Sequence, residues 1–296
     1  MGPSSRYLVA AGLFIVLAFL ASVAGPGYLA YEGSHPVVTR IRVADAPDAM
    51  VFITDPHLRP GNLATVREVV RQVNELHPSV VLIGGDFGAG EESDYALQEV
   101  WSGLDAPAYA VLGNHDYRAG IDGGGLDGRI AWAAEALFRA RGGDTSRYYG
   151  DSPDLASADA MEQALEKNGV MVLRNEVVIL TLGVKNVTIV GVDDLWAGQA
   201  DPPEVAGASP VIYLVHEPYA DPAWNADLVL SGHTHGGQVN NGVFILLNSL
   251  DLVDIQGIHW KGNVPVYVSR GIGTSIFARD YRLFDPPEIV LINPIP

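Results

Sequence analysis

Val80-Val81-Leu82-Ile83-Gly84-Gly85-Asp86 is an apolar tetrapeptide that runs straight into two glycines and a carboxylate. Apolar residues at four successive positions leave no polar face, so the segment reads as a strand covered on both sides, the kind found in parallel sheets flanked by helices. Upstream, Met50 to Ile53 has the same character and delivers Asp55 and His57 just past its carboxyl end. Between the two strands, Leu63, Val66, Val69, Val70, Val73 and Leu76 follow helical spacing, with Asn62 placed to cap the helix and His77-Pro78 to close it. Downstream, Asp94 to Trp101 reads as a helix and Ala108 to Leu112 as a strand that ends in Gly113-Asn114-His115-Asp116. The pattern is βαβαβ. Its polar residues gather at one edge of a parallel sheet, where ligands bind in such folds.

The second half is richer in strands. Before it, Val37 to Val43 reads as a further strand, and Ser157 is placed to cap a helix over Ala158 to Lys167. Strands are then expected at Met171 to Leu173, Val177 to Leu182, Val187 to Val192, Val211 to Val215, Leu228 to Leu230, Val243 to Leu247, Val264 to Val268 and Glu288 to Ile292. The expected fold is α/β: two mixed β-sheets packed as a sandwich and flanked by helices. The catalytic domain is expected over residues 36–296. Arg118 to Ala156 interrupts the core pattern and is a candidate cap insertion. Its Arg118, Arg129, Arg139, Arg141, Arg147, Tyr148 and Tyr149 suit a phosphate or nucleotide head group, or else are solvated residues balancing an acidic protein.

A net charge of -17 repels polyanions, so no nucleic-acid partner is expected. The absence of cysteine excludes disulfides, zinc-thiolate sites and thiol catalysis. At the N-terminus, Leu8 to Ala24 is almost wholly apolar, and seventeen helical residues reach roughly 25 Å, enough for a thin bilayer. Residues 1–31 are therefore expected to form a transmembrane anchor at the cell membrane, ended by Gly25-Pro26-Gly27. Arg6 precedes the apolar run and Glu32 is the first charge after it, which places the catalytic domain outside the cytoplasm. Ser22-Val23-Ala24 also resembles a signal-peptidase site, so secretion after cleavage is the alternative.

Ser231-Gly232-His233-Thr234-His235-Gly236-Gly237-Gln238 places two histidines one residue apart in a glycine-flanked loop. Both rings reach one site only if the backbone turns there. With Asp55, His57, Asp86, Asn114, His115 and His216, the chain supplies imidazole, carboxylate and amide oxygen ligands that suit a pair of divalent ions. Asp86, rigidly held behind a buried strand, is placed to bridge. Singly, each residue has an ordinary reading as a turn or strand-end residue, Asp55 before Pro56 above all. Jointly they do not, since five of the eight histidines fall in these stretches. His35, His77 and His259 stand apart as structural or surface residues, and Asp193 and Asp194 as turn residues or supports of the ligands.

Asp55-x-His57, Gly85-Asp86, Gly113-Asn114-His115-Asp116, His216 and Gly232-His233-x-His235 occur in the order typical of the calcineurin-like metallophosphoesterases, which the chain resembles from about Ala49 to Gln238. Gly236-Gly237-Gln238, Val268 to Thr274 and Pro287-Glu288-Ile289 extend the resemblance to membrane-associated bacterial phosphoesterases that include UDP-diacylglucosamine hydrolase-like enzymes. The resemblance implies that Asp55, His57 and His235 hold a first metal, that Asn114, His216 and His233 hold a second, and that Asp86 bridges. It also implies that His115 acts near the leaving-group oxygen and that Asp116 fixes its tautomer. Ala89 stands where many relatives carry Asp and some iron-containing ones Tyr, so a tyrosinate-iron site is not implied. Manganese, iron or zinc remain open.

The expected activity is binuclear-metal-dependent hydrolysis of a phosphodiester or pyrophosphate in a lipid or nucleotide-sugar precursor at the membrane. A phosphomonoesterase or cell-wall polymer phosphodiesterase is the enzymatic alternative, and a binding scaffold with a residual metal site the non-enzymatic one.

Overall fold

Both faces of the central strands are covered, as an apolar run without alternation requires. A computed structural model describes residues 25–89, 94–119, 153–205, 209–240, 242–250, 252–275 and 280–295. The first half contributes β1 (Val37–Ile41), β2 (Met50–Ile53), β3 (Val80–Ile83), β4 (Ala108–Ala110) and β5 (Val170–Val172). The second half contributes β6 (Glu176–Leu182), β7 (Lys185–Gly191), β8 (Val211–Leu214), β9 (Leu228–Ser231), β10 (Gly257–Lys261), β11 (Val264–Val268) and β12 (Glu288–Ile292). They form two six-stranded sheets, ordered β1-β12-β2-β3-β4-β5 and β10-β11-β9-β8-β7-β6. Each is mixed. In the first sheet β12 runs antiparallel to β2 while β2 to β5 are parallel; in the second, β7, β8, β9 and β11 are parallel with antiparallel edges.

The period-2 geometry of β2 and β3 divides their side chains between two cores. Met50, Phe52, Val80 and Leu82 meet Ile189, Ile212, Leu214, Leu228 and Leu230 of the second sheet. Val51, Ile53, Val81 and Ile83 face helix α1 (Leu63–Glu75), which buries Val66, Val69, Val70 and Val73, and helix α3 (Leu155–Lys167), which buries Met161 and Leu165. All eight residues of the two strands are fully buried. At roughly 1.5–3 kcal/mol for each large apolar side chain, they anchor the sandwich. The strand ends therefore form a rigid rim.

Several local expectations need correction. Asn62 makes no side-chain cap bond to α1. α3 begins earlier than expected, with Asp154 as its cap accepting from the Ser157 amide. Helix α2 (Asp94–Leu97) passes into a 3-10 segment, Gln98–Gly103. Val243 to Leu247, expected as a strand, lies in helix α4 (Gly242–Ser249). A short unbroken apolar run carries no periodicity to separate the two states. β10 was not expected because His259 and Lys261 interrupt its apolar pattern; as an edge strand it exposes Ile258 and Trp260 and buries His259.

The expected membrane anchor is also corrected. Among the described residues no helix is long and apolar enough to cross a membrane. Leu8 to Ala24, on which the anchor and the placement outside the cytoplasm rested, lies outside the described residues. Residues 25–33 are helical, so Gly25, Pro26 and Gly27, expected to end a helix, lie within one. Of the candidate cap, 120–152 lies outside the described residues, including Arg129, Arg139, Arg141, Arg147, Tyr148 and Tyr149.

Gly191 closes β7 where the two sheets converge. A Cβ there would collide with the Leu173 Cβ and stand 2.8 Å from the Leu173 carbonyl oxygen. Gly191→Ala is expected to cost about 1–3 kcal/mol by overpacking. Urea denaturation checks this, and an unchanged midpoint would show that the sheets have room to part.

Candidate metal centre

The ligand loops are held together by backbone bonds that continue past the strand ends. The Asp55 amide donates to the Gly85 carbonyl and the His57 amide to the Asp86 carbonyl, both at 3.0 Å. Asn62, freed from capping, accepts from the Arg59 amide at 2.9 Å and donates to the carbonyls of Pro56 and His57 at 3.1 Å. It ties the Asp55-Pro56-His57 loop to the start of α1. Across the rim, the His233 amide donates to both Asp55 oxygens at 3.0 Å. Gly232 allows that approach, because a Cβ there would collide with Asp55 Oδ2 and Thr54 Oγ1. Asp55, His57, Asp86, His233 and His235 all have positive φ, between 39° and 68°. Left-handed backbone at a non-glycine residue costs on the order of 1–3 kcal/mol and persists only where its surroundings impose it. Five such residues at one rim aim their side chains at one point.

The side chains converge as two clusters that share a carboxylate. In the first, His57 Nε2 lies 2.9 Å from His235 Nε2, and His235 Nε2 lies 3.6 Å from Asp55 Oδ1. In the second, Asn114 Oδ1 lies 3.2 Å from His216 Nε2 and 3.1 Å from His233 Nδ1, which are themselves 3.2 Å apart. Asp86 Oδ2 stands between them, 3.4 Å from His57 Nε2 and 3.2 Å from His216 Nε2. The other Asp86 oxygen accepts from the His115 amide at 2.9 Å. Orientation is fixed from behind: His216 Nδ1 meets the Gly84 carbonyl at 2.8 Å, and Asn114 Nδ2 donates to the Ala119 carbonyl at 2.9 Å. Each contact turns the other donor atom of its side chain inward.

His115 is half-buried and sits on the open side, its ring edge-on to His57 at 4.7 Å. Asp116 directs both oxygens to backbone amides, Oδ1 to Phe87 at 2.9 Å and Gly88 at 3.3 Å, and Oδ2 to Gly113 at 2.9 Å. Its contribution in this structure is to clamp the loop carrying His115 rather than to hold a ring nitrogen.

The electrostatics describe a site short of positive charge. Burial pushes the Asp55 carboxyl up to about 7; the nearby Asp86 charge adds to this, while His216 and Thr54 work against it. Burial would raise Asp86 too, but His216, His115 and His57 outweigh it and hold Asp86 well below the usual carboxylate range. For His216 burial acts downward, and the Asp86 charge overrides it and pushes the ring well above the usual imidazole range. His57 and His235 are pushed down by burial, His57 to about 3, and so keep the neutral rings that ligation requires. His235 Nδ1 is buried with no hydrogen-bond partner. Buried carboxylates, neutral imidazoles and an inward amide oxygen fit divalent ions, and among the described residues three groups of side chains have donor atoms close enough to hold one: Asp55, His57 and His235; His57, Asp86 and His115; Asp86, His216 and His233.

Several supporting residues were not singled out from the sequence. Thr54 Oγ1 donates to Asp55 Oδ2 at 2.8 Å. Trp196 packs edge-on against His233 at 4.4 Å, and its amide donates to the fully buried Glu217 at 3.0 Å. Asp194 accepts from the Ala197 amide at 2.6 Å, whereas Asp193 accepts from the Tyr117 hydroxyl at 2.5 Å and from Arg174 Nε at 3.0 Å. Thr54, Glu217 and Trp196 each lie within three residues of a strand-end Asp or His, the one signal that pointed to them. His259 is a buried structural residue bonded to the Gln256 carbonyl.

Comparison with known proteins agrees with this geometry. The model of the calcineurin-like phosphoesterase family matches residues 50–237. Phosphodiesterase YaeI of Escherichia coli is 28% identical over 297 residues, covering 93% of this chain and 95% of YaeI. UDP-2,3-diacylglucosamine pyrophosphatase LpxG of Chlamydia muridarum is 29% identical, covering 82% of each chain. The uncharacterized metallophosphoesterase YkuE of Bacillus subtilis is 26% identical, covering 99% of this chain and 98% of its own. The chain belongs to the calcineurin-like phosphoesterase family and is a metal-dependent ester hydrolase.

Removing metal is therefore expected to lower the melting temperature, and added manganese to restore it. Ligand at a hundredfold excess over Kd stabilises by about 2.7 kcal/mol. Asp86→Asn is expected to abolish the manganese response in differential scanning calorimetry. An equal response in the variant would remove Asp86 from the centre.

Proposed function

We propose, with family membership as the premise, that the chain hydrolyses a phosphodiester or pyrophosphate bond with two divalent ions of manganese, iron or zinc. Asp55, His57 and His235 would hold one ion, Asn114, His216 and His233 the other, and Asp86 would serve both. The single observation that carries this reading is the placement of Asp86 Oδ2 within 3.4 Å of a ring nitrogen from each cluster. The chemistry supplied by the bound ions is Lewis acidity, which lowers the pKa of solvent and offsets charge at the phosphoryl oxygens.

The chain's own groups do the rest. Asp86 stays deprotonated at neutral pH and fixes the His115 backbone. His115, half-buried beside His57, gives a proton to the departing oxygen. Asp116 keeps that loop in register with the Phe87-Gly88 segment. Residues 36–296 form the catalytic domain in this reading. Segment 118–156 acts as a cap, supported by its described ends: Ala119 bonds to the Asn114 carbonyl, Arg118 to that of His115, and Asp154 to that of Tyr117.

The substrate class is a diester or pyrophosphate in a lipid or nucleotide-sugar precursor. Two relatives support it by their described activities, a phosphodiesterase and a UDP-2,3-diacylglucosamine pyrophosphatase. The surface supports it as well. The stretch after His235 exposes Ile245, Leu246, Leu250 and Leu252, apolar side chains suited to an acyl chain, and it is tied to the metal loop where the Thr234 hydroxyl donates to the Ile255 carbonyl at 2.7 Å.

The full-length chain, metal-stripped and reloaded with manganese, is expected to hydrolyse bis(p-nitrophenyl) phosphate faster than p-nitrophenyl phosphate. His115→Ala is expected to lower kcat by roughly 10²–10⁴. Faster monoester hydrolysis, or activity unaffected by EDTA, would contradict the reading. Leu246→Ser is expected to raise KM severalfold for a diacylated pyrophosphate and leave the aryl diester unchanged. Parallel changes on both substrates would detach this surface from substrate binding.

A further inference from the structure

Arg282 is fully buried, yet it is not part of the metal cluster. An arginine in that position must find partners for its fork of donors, and this one finds backbone. Nη1 donates to the His235 carbonyl at 3.2 Å, and to the carbonyl and carboxylate of Asp285 at 3.2 and 3.3 Å. Nη2 donates to the carbonyls of Gly273 at 2.5 Å, Arg270 at 2.7 Å and Gly271 at 3.4 Å. The guanidinium thus joins the loop after β9 to the loop after β11. The latter is in turn bonded to the first ligand strand: the Ile272 amide donates to the Thr54 carbonyl and the Gly273 amide to the Asp55 carbonyl, both at 2.9 Å. One planar group ties the His235 backbone to a loop that is itself bonded to Thr54 and Asp55.

The cation is itself braced from outside. The Arg282 amide donates to the Leu29 carbonyl at 3.2 Å, and the Asp285 amide to Glu32 Oε1 at 2.6 Å. Glu32 is buried although it belongs to the helical stretch 25–33. The Leu283 amide bonds to the Gln238 carbonyl, and the Asn240 amide to the Leu283 carbonyl, so residues 282–285 strap the His235 loop along its length.

We propose that Arg282 is a positioning residue for one half of the metal centre, setting the separation of His235 and Asp55, with Glu32 and Asp285 as its outer brace. The proposal rests on the two-metal reading above. The selectivity follows from topology. None of the carbonyls Arg282 contacts belongs to the loops of Asn114 or His216, and of that side only His233 shares the His235 loop, so its loss loosens the Asp55-His57-His235 side more than the Asn114-His216-His233 side. Lysine is a poor substitute, because a single ammonium cannot span two loops with planar geometry.

The test is manganese titration of the metal-free, full-length chain by isothermal calorimetry, with stoichiometry confirmed by elemental analysis. Wild type is expected to bind two ions. Arg282→Lys is expected to weaken one ion roughly 10- to 100-fold and the other by much less. Asp285→Asn keeps the side-chain volume and is expected to weaken the same ion severalfold; it decides the matter should Arg282→Lys not fold, as judged by circular dichroism. Two wild-type affinities in a folded variant, or equal weakening of both ions, would overturn the assignment. Failure of wild type to bind two ions would strike the two-metal reading itself, and is seen before any variant is made.

Discussion

Asp86 is the constraint on which the rest of the structure depends. It is a buried carboxylate held in its charged form between two groups of ligands, and burying such a charge without compensation is costly. Three histidine rings surround it and hold it well below the usual carboxylate range. The arrangement makes sense when two cations supply the missing charge. Asp55 points the same way, since burial drives it towards neutrality unless positive charge is added. The centre is preorganised at the expense of electrostatic stability, and the sandwich underneath supplies the difference.

That support is mechanical. β2 and β3 are buried on both faces, so their carboxyl ends cannot drift. Beyond them the chain turns into left-handed backbone at Asp55, His57 and Asp86, and beyond β9 it does so at His233 and His235; all five are candidate ligands. Strain at these positions is imposed by bonds between neighbouring loops: Asp55 to Gly85, His57 to Asp86, and His233 to the Asp55 carboxylate. The same principle extends outwards through Asn62, Asp116 and Arg282. Each is a polar side chain whose partners are backbone groups of ligand loops. Loops are ordinarily the most mobile part of a fold, and here they are tied at both ends.

How much of this was legible follows from which signals are local. Asp55, His57, Asp86, Asn114, His216, His233 and His235 could be read because each follows an apolar strand at short range, and the structure brings all seven together. The two mixed sheets were readable from strand density. Val243 to Leu247 reads as a strand because an apolar pentapeptide looks alike in either state, whereas it lies in a helix. β10 escaped because an edge strand needs no unbroken apolar run. Asn62 stands out in sequence as a cap and Asp116 as a partner for His115, whereas their bonds reach backbone amides and carbonyls that no side-chain pattern records. Arg282 gave no signal at all. Its partners lie across the chain in space, from Leu29 to Asp285, and a buried arginine looks the same in sequence as a solvated one.

The most direct test of the central claim is anomalous diffraction from crystals of the full-length protein soaked in manganese. The account predicts two peaks about 3.5–4 Å apart, one bordered by Asp55, His57 and His235, the other by Asn114, His216 and His233, with an Asp86 oxygen between them. A single peak, or two peaks without Asp86 between them, would contradict it.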